Sequence, residues 1–152
     1  MIPAATLRAY HGSTQRKSYY LRRVRAHRLA DELIQGVGWT TDGLTRGCAV
    51  GCTLDAYRHE DYEPRIGVPV ALAYLEDEIF EGLGRDDAIA WPEAFLDAIP
   101  VGADLSGVAD RVALWLLVDP TYGVRQHTDA GSDQRDAVDR VATLYTRRLA
   151  GD

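Results

Sequence analysis

Apolar residues recur three and four positions apart along most of this chain and nowhere alternate convincingly with polar ones over five or more residues. That periodicity fits helices with one buried face and leaves no half-buried strand from which to build a sheet. The expected fold is all-α, an irregular bundle of about five or six helices in a single domain, 1–152. At 152 residues folding should bury roughly 70% of the unfolded chain's surface, so no disulfide or metal staple is needed.

Capping and breaking residues place the helices. Ser13 or Thr14 can cap a first helix reaching about Gln35, stopped by Gly36-Val37-Gly38. On it Tyr20, Val24, His27, Asp31 and Ile34 share one face, apolar except for His27 and Asp31. Residues 39–45 read as a polar turn around Asp42-Gly43. The run Gly47-Cys48-Ala49-Val50-Gly51-Cys52 reads as a short helix or a tight buried loop. Pro64 is expected to end any helix in the polar stretch before it, while Pro69 suits the first turn of a second long helix reaching about Leu83. The core face of that helix carries Leu72, Leu75, Ile79, Phe80 and Leu83, interrupted by Glu76; Tyr74, Asp77, Glu78 and Glu81 fall on the wet side. Asp86 or Asp87 opens a short helix around 91–99 with Pro92 near its start, Ser132 or Asp133 opens the last helix, and the nearly all-apolar stretch near 106–118 should form the central, most buried helix.

The net charge of −6 hides an asymmetry: residues 1–28 hold seven of the 17 Lys and Arg residues and none of the 23 acidic ones. Interleaved with Tyr10, Tyr19 and Tyr20, these could contact phosphates and stack bases. A pI of about 5.2 favours the other account, in which an acidic body attracts its own basic helix. Two cysteines make no disulfide scaffold, no apolar run approaches the ~20 residues of a membrane span, and the first eight residues lack a secretory signal's pattern. The expectation is a cytoplasmic, thiol-reduced protein that contacts no membrane; the apolar 106–118 helix leaves a homodimer open.

Phosphate-loop, dinucleotide-binding, H-E-x-x-H and G-x-S-x-G motifs are absent from the sequence. What remains is a constellation. Cys48, preceded by Arg46 and glycine, becomes a nucleophile if its pKa falls, and Cys52 could support it by reversible redox chemistry. The same small residues also suit close packing, which is the commoner use. A C-x-x-x-C pair offers two ligands where a closed zinc site takes four, so neither metal nor cofactor is assigned. His27 and Asp31, one helical turn apart, could be a base and its orienter or a satisfied core pair. Glu76 must find a partner or keep its proton. His59 with Glu60, Asp61 and Glu63 reads as a polar surface turn, with a mobile acid–base or metal-binding role as the less common alternative, and Trp39 as a core anchor or a pocket wall.

Residues 25–32 (Arg-Ala-His-Arg-Leu-Ala-Asp-Glu), the Gly-Cys-Ala-Val-Gly-Cys run at 47–52, residues 75–83 and residues 102–106 resemble segments of a group of uncharacterised bacterial and phage-borne proteins of similar size. The resemblance implies a mobile-element or accessory setting and carries no catalytic role. From the residues themselves, the first expectation is a hydrolase-like enzyme of thiol or acid–base type acting on a small molecule. In it Cys48 would be the nucleophile, His27 the base, Asp31 its orienter and Glu76 an acid or electrostatic partner. The rival is a non-catalytic interaction or regulatory module that binds nucleic acid or a protein through its basic N-terminal helix.

Overall fold

The computed structural model describes residues 7–40, 42 and 45–151. The chain's opening residues, and Gly43 of the anticipated turn, lie outside the described residues. The architecture is all-α: seven α-helices and one two-stranded antiparallel sheet among the described residues. Two compact units divide the chain, residues 1–105 and residues 106–152.

In the first unit, α1 (Thr14–Leu29) starts where Ser13 Oγ accepts the Arg16 N–H at 3.2 Å, satisfying one of the donors a helix start leaves orphaned. It buries Tyr20 and Val24. The helix ends six residues before Gln35, because Asp31 turns left-handed (φ 57°) and the chain behind it finds better partners. The Gly47 N–H donates to the Glu32 carbonyl and the Ile34 N–H to the Gly47 carbonyl, at 3.0 and 2.9 Å. Backbone pairing thus replaces the last helical turns, and Leu33 enters the core at 1% exposure. Strands β1 (Trp39–Thr40) and β2 (Arg46–Gly47) pair in register Trp39 to Gly47 and lead into α2 (Ala49–Leu54), all of whose residues are buried.

The Gly-Cys-Ala-Val-Gly-Cys run is explained at this junction. The Cys48 N–H donates to the Gly38 carbonyl at 3.2 Å. A Cβ on Gly51 would stand 2.0 Å from that same oxygen, and one on Gly47 2.7 Å from the Trp39 ring. Glycine is required because two backbones touch.

Beyond α2, α3 (Tyr62–Ile66) contains Pro64. The sequence reading had Pro64 ending a helix, but at the third position of a first turn its missing N–H has no intrahelical partner to lose. α4 (Val70–Gly82) follows Pro69 and buries Leu72, Ala73, Glu76, Asp77 and Phe80. α5 (Arg85–Ala98) has Asp86 and Asp87, expected to open it, in its first turn, and carries Pro92 in its interior and not near its start. It packs against both α1 and α4, and Tyr10 donates its buried hydroxyl to the Leu96 carbonyl at 2.5 Å.

In the second unit, α6 (Val108–Val118) packs on α7 (Asp133–Ala150), with Arg148 on Asp110 at 3.2 Å and Ser132 as the N-cap of α7. The expectation that residues 106–118 form the central, most buried helix is corrected here. No residue of α6 is buried, and Trp115 is 47% exposed. All-round apolarity showed that the helix avoids water on several faces, not that enough chain surrounds it.

Gly51→Ala is expected to destabilise the first unit by about 1–3 kcal/mol or more, the cost of forcing atoms into a closed contact, even though alanine has the better helix propensity. Urea denaturation checks it; an unchanged or raised midpoint would show that the 38–51 contact does not constrain the fold.

Candidate functional site

His27, Glu76 and the cysteines do not converge on one cavity. His27 is held by two carboxylates, its Nδ1 2.6 Å from Glu32 Oε2 and its Nε2 3.0 Å from Asp55 Oδ1. Asp55 also pairs with Arg23 at 3.1 Å. The anticipated partner Asp31 lies past the end of α1, 81% exposed at its side chain and paired with Arg85 at 3.1 Å. Residue 31 is not helical, so the i, i+4 spacing does not bring its side chain onto the face of His27. With both ring nitrogens engaged, His27 ties the end of α1 to the 32–34 segment and to the end of α2, and its ring meets Trp39 edge-on at 5.7 Å.

Glu76 is fully buried and accepts a short hydrogen bond from the Tyr62 hydroxyl, which also lies beside Thr53. Its Oε1 has no hydrogen-bond partner, and no ion pair to Glu76 forms among the described residues. Burial raises its pKa to about 8, opposed in part by the Tyr62 hydrogen bond. Of the two alternatives the sequence left it, a partner or a retained proton, Glu76 keeps its proton at neutral pH.

Cys48 is the N-cap of α2, its Sγ accepting the Gly51 N–H at 3.4 Å. Cys52 Sγ–H faces the Gly47 carbonyl at 3.4 Å. Both thiols are free and buried. Burial, and next the Asp77 carboxylate, hold the Cys48 thiol far above the ordinary thiol range; burial, helped by Glu32 and Asp55, pushes Cys52 up to about 12. The thiolate is the nucleophile, and here it is the disfavoured form. Arg46 is exposed on β2 and does not offset this.

The arrangement with unspent chemistry is one that sequence reading placed on the surface. Between the 36–39 segment and α4 lies a cleft of about 490 Å³ whose lining includes Trp39, Cys48, Tyr57, Asp77, Glu78 and Glu81. Asp77, expected on the wet side of α4, is only 7% exposed, and His59, expected in a surface turn, only 6%. His59 Nε2 lies 3.1 Å from Asp77 Oδ2. The imidazole stacks on Tyr74 at 4.2 Å, with ring planes 6° apart, and meets Tyr57 edge-on at 4.9 Å. This three-ring packing fixes the imidazole. Asp77 Oδ1 is shielded and meets no partner at full hydrogen-bond geometry; the Tyr57 hydroxyl and the Cys48 thiol are the donors directed at the Asp77 carboxyl. Burial, reinforced by Asp77, also raises the Tyr57 phenol above its ordinary range. A buried carboxylate oxygen left unpaired is costly. A group that brought a donor to it would recover that cost. The sequence signal was a histidine eighteen residues before an aspartate, too distant to read without the turn at 55–61.

A second hollow, of about 400 Å³, lies between α1 and α5. Its charges are mostly paired with each other: Arg25 and Arg28 both bond Glu93, at 2.8 and 3.0 Å, while Arg28 Nε is buried without a hydrogen-bond partner. Lys17 pairs with Asp97 at 3.4 Å, while Arg8 and Arg16 donate to the carbonyls of Gly102 and Arg65. With Arg23 on Asp55, six of the seven early basic side chains bond this chain's own acceptors; Arg22 is the exception among the described residues.

Among the described residues no group of three or more His, Cys, Asp or Glu side chains is arranged to hold a metal ion, and no helix is long and apolar enough to cross a membrane. No protein-family model, curated protein or solved structure matches the chain.

Two outcomes follow. Native protein at pH 7 should react with iodoacetamide at Cys48 and Cys52 at least tenfold more slowly than urea-unfolded protein, read by mass spectrometry; equal rates would restore the reactive thiol. Glu76 gives a pH signature in stability. Below the ordinary glutamate range both folded and unfolded chains hold the proton, so Glu76 contributes no slope. Between that range and about 8 only the folded chain holds it, and stability falls by on the order of 1 kcal/mol per pH unit, levelling off above. Glu76→Gln should flatten that slope in urea melts between pH 5 and 8.

Proposed function

We propose that the cleft beside α4 is a small-molecule site of acid–base type, in which Asp77 meets the ligand and His59 positions Asp77. The single observation that carries this reading is the buried Asp77 carboxyl of a cleft-lining residue, with one oxygen on a stacked imidazole and the other meeting no donor at full hydrogen-bond geometry. Asp77 Oδ1 can accept a hydrogen bond from a ligand N–H or O–H and, as a general base, take that proton while the bonding pair stays on the ligand atom. His59 acts through Oδ2: its Nε2–H fixes the carboxyl rotamer and turns Oδ1 toward its open partner position.

This keeps the acid–base half of the enzyme reading and moves it from His27, Asp31 and Glu76 to His59 and Asp77. The thiol half is left aside, because burial favours the protonated Cys48. The rival reading, an interaction module using the basic first helix, has less support because most of that helix's charges are occupied by the chain's own acceptors.

The test is a ligand screen by NMR and thermal shift with small amines, acids, alcohols and sugars against wild type, Asp77→Asn and His59→Gln. Ligands should perturb the Gly38, Trp39 and Cys48 amides. Loss of a hydrogen bond to a charged group, about 1.5–3 kcal/mol, should remove most of the stabilisation in Asp77→Asn, with a partial loss in His59→Gln. Hits whose shifts ignore Asp77→Asn, or a complete absence of cleft perturbation, would overturn the assignment.

A further inference from the structure

The chemistry of the cleft wall points to a ligand class. Its ionisable carboxyl groups are Asp77, Glu78 and Glu81, and no Lys, Arg or His is among its lining residues. Glu81 is partly engaged, its Oε2 accepting the Gly36 N–H at 2.7 Å. Glu78 is exposed on α4. Aromatic rings stand at the same cleft: Trp39 is half-buried, its orientation fixed by Gly47 behind it and His27 at its edge, while Tyr57 is 52% exposed. Independently of these charges, Asp77 Oδ1 is a buried acceptor that meets no donor at full hydrogen-bond geometry, with the Tyr57 hydroxyl and the Cys48 thiol as its neighbours.

An anion brought here would meet three carboxyl groups and no cation. A neutral alcohol could satisfy Oδ1 but would leave the field and the aromatic faces unused. A protonated amine or guanidinium uses all of them: N–H donors for the orphaned oxygen, positive charge for the acidic wall, and attraction to the faces of Trp39 and Tyr57. Resting on the reading of this cleft as a ligand site, we infer that it takes a small organic cation bearing N–H groups, with Asp77 as its anchor and Trp39 and Tyr57 as its walls. Because Oδ1 is shielded, entry requires the Tyr57 ring, 52% exposed but packed on His59 and Gly38, to change rotamer.

The probes are n-butylammonium, n-butylguanidinium, tetramethylammonium, butyrate and 1-butanol, titrated into nitrogen-15-labelled protein at fixed ionic strength. The two N–H cations should shift the Trp39 indole N–H and the Gly38 and Cys48 amides saturably. Tetramethylammonium, with charge but no donor, should bind at least several-fold more weakly, and butyrate should not bind. Asp77→Asn should weaken the butylammonium titration roughly tenfold or more, and the surface change Glu78→Gln, which leaves the core untouched, by a few-fold. Glu93→Gln, in the separate hollow between α1 and α5, should leave it unchanged.

Cleft shifts from butanol or butyrate that match those from the amines and depend on Asp77 would sink the cation assignment while leaving the site itself standing. Silence at the cleft from every probe would remove both. Shifts from the cations spread evenly over the acidic surface would mean general charge screening and would also overturn the assignment. If Asp77→Asn fails to fold, the Glu78→Gln titration and the tetramethylammonium comparison decide the question.

Discussion

The first unit depends on a contact in which the Gly38 carbonyl rests against the first turn of α2, with no room for a Cβ on Gly51. The Cys48 N–H reaches that carbonyl, Gly47 makes way for the Trp39 ring, and Gly38 itself has the Tyr57 ring against it. The 36–39 segment is thereby pressed between α2 and the stretch before His59. That pressure has two results. It buries Cys48 so deeply that its thiol stays protonated, and it builds the wall that shelters Asp77. The motif that looked most like chemistry is the hinge of the packing, and the chemistry lies next to it.

Three polar groups inside this unit are handled in three ways. Glu76 gives up its charge, because Tyr62 supplies one hydrogen bond and no cation comes near; a neutral acid costs far less to bury than an ion. His27 is held from both sides by Glu32 and Asp55, and so serves as a bracket between segments far apart in sequence. Asp77, like Glu76, has one oxygen without a full hydrogen bond, but Asp77 lines the cleft beside α4 and Glu76 does not. That position is why the functional reading rests on Asp77.

The fold class could be read from the sequence, as could the capping by Ser13 and Ser132 and the interruption of the α4 core face by Glu76. These are local properties: a cap bonds within four residues, and a helical stripe shows over two turns. Less legible were the ends of elements. Asp31 belonged to a sound helical pattern, yet the backbone of Gly47 offered residues 32–34 bonds that the helix could not match. Asp77 and His59 were misplaced for a related reason. Each is polar, and polarity says that a side chain needs partners, which water or a folded neighbour can supply equally well.

Alone, the sequence determined that this chain forms helices, roughly where they start, and that one carboxyl group would sit among apolar neighbours. Only the tertiary structure decided which polar residues meet, because the loop at 55–61 and the glycine contact at 38–51 bring together side chains that share no helical period. It also decided that residues 108–118 are not a core: burial depends on how much chain surrounds a helix, and no periodicity along that helix records it.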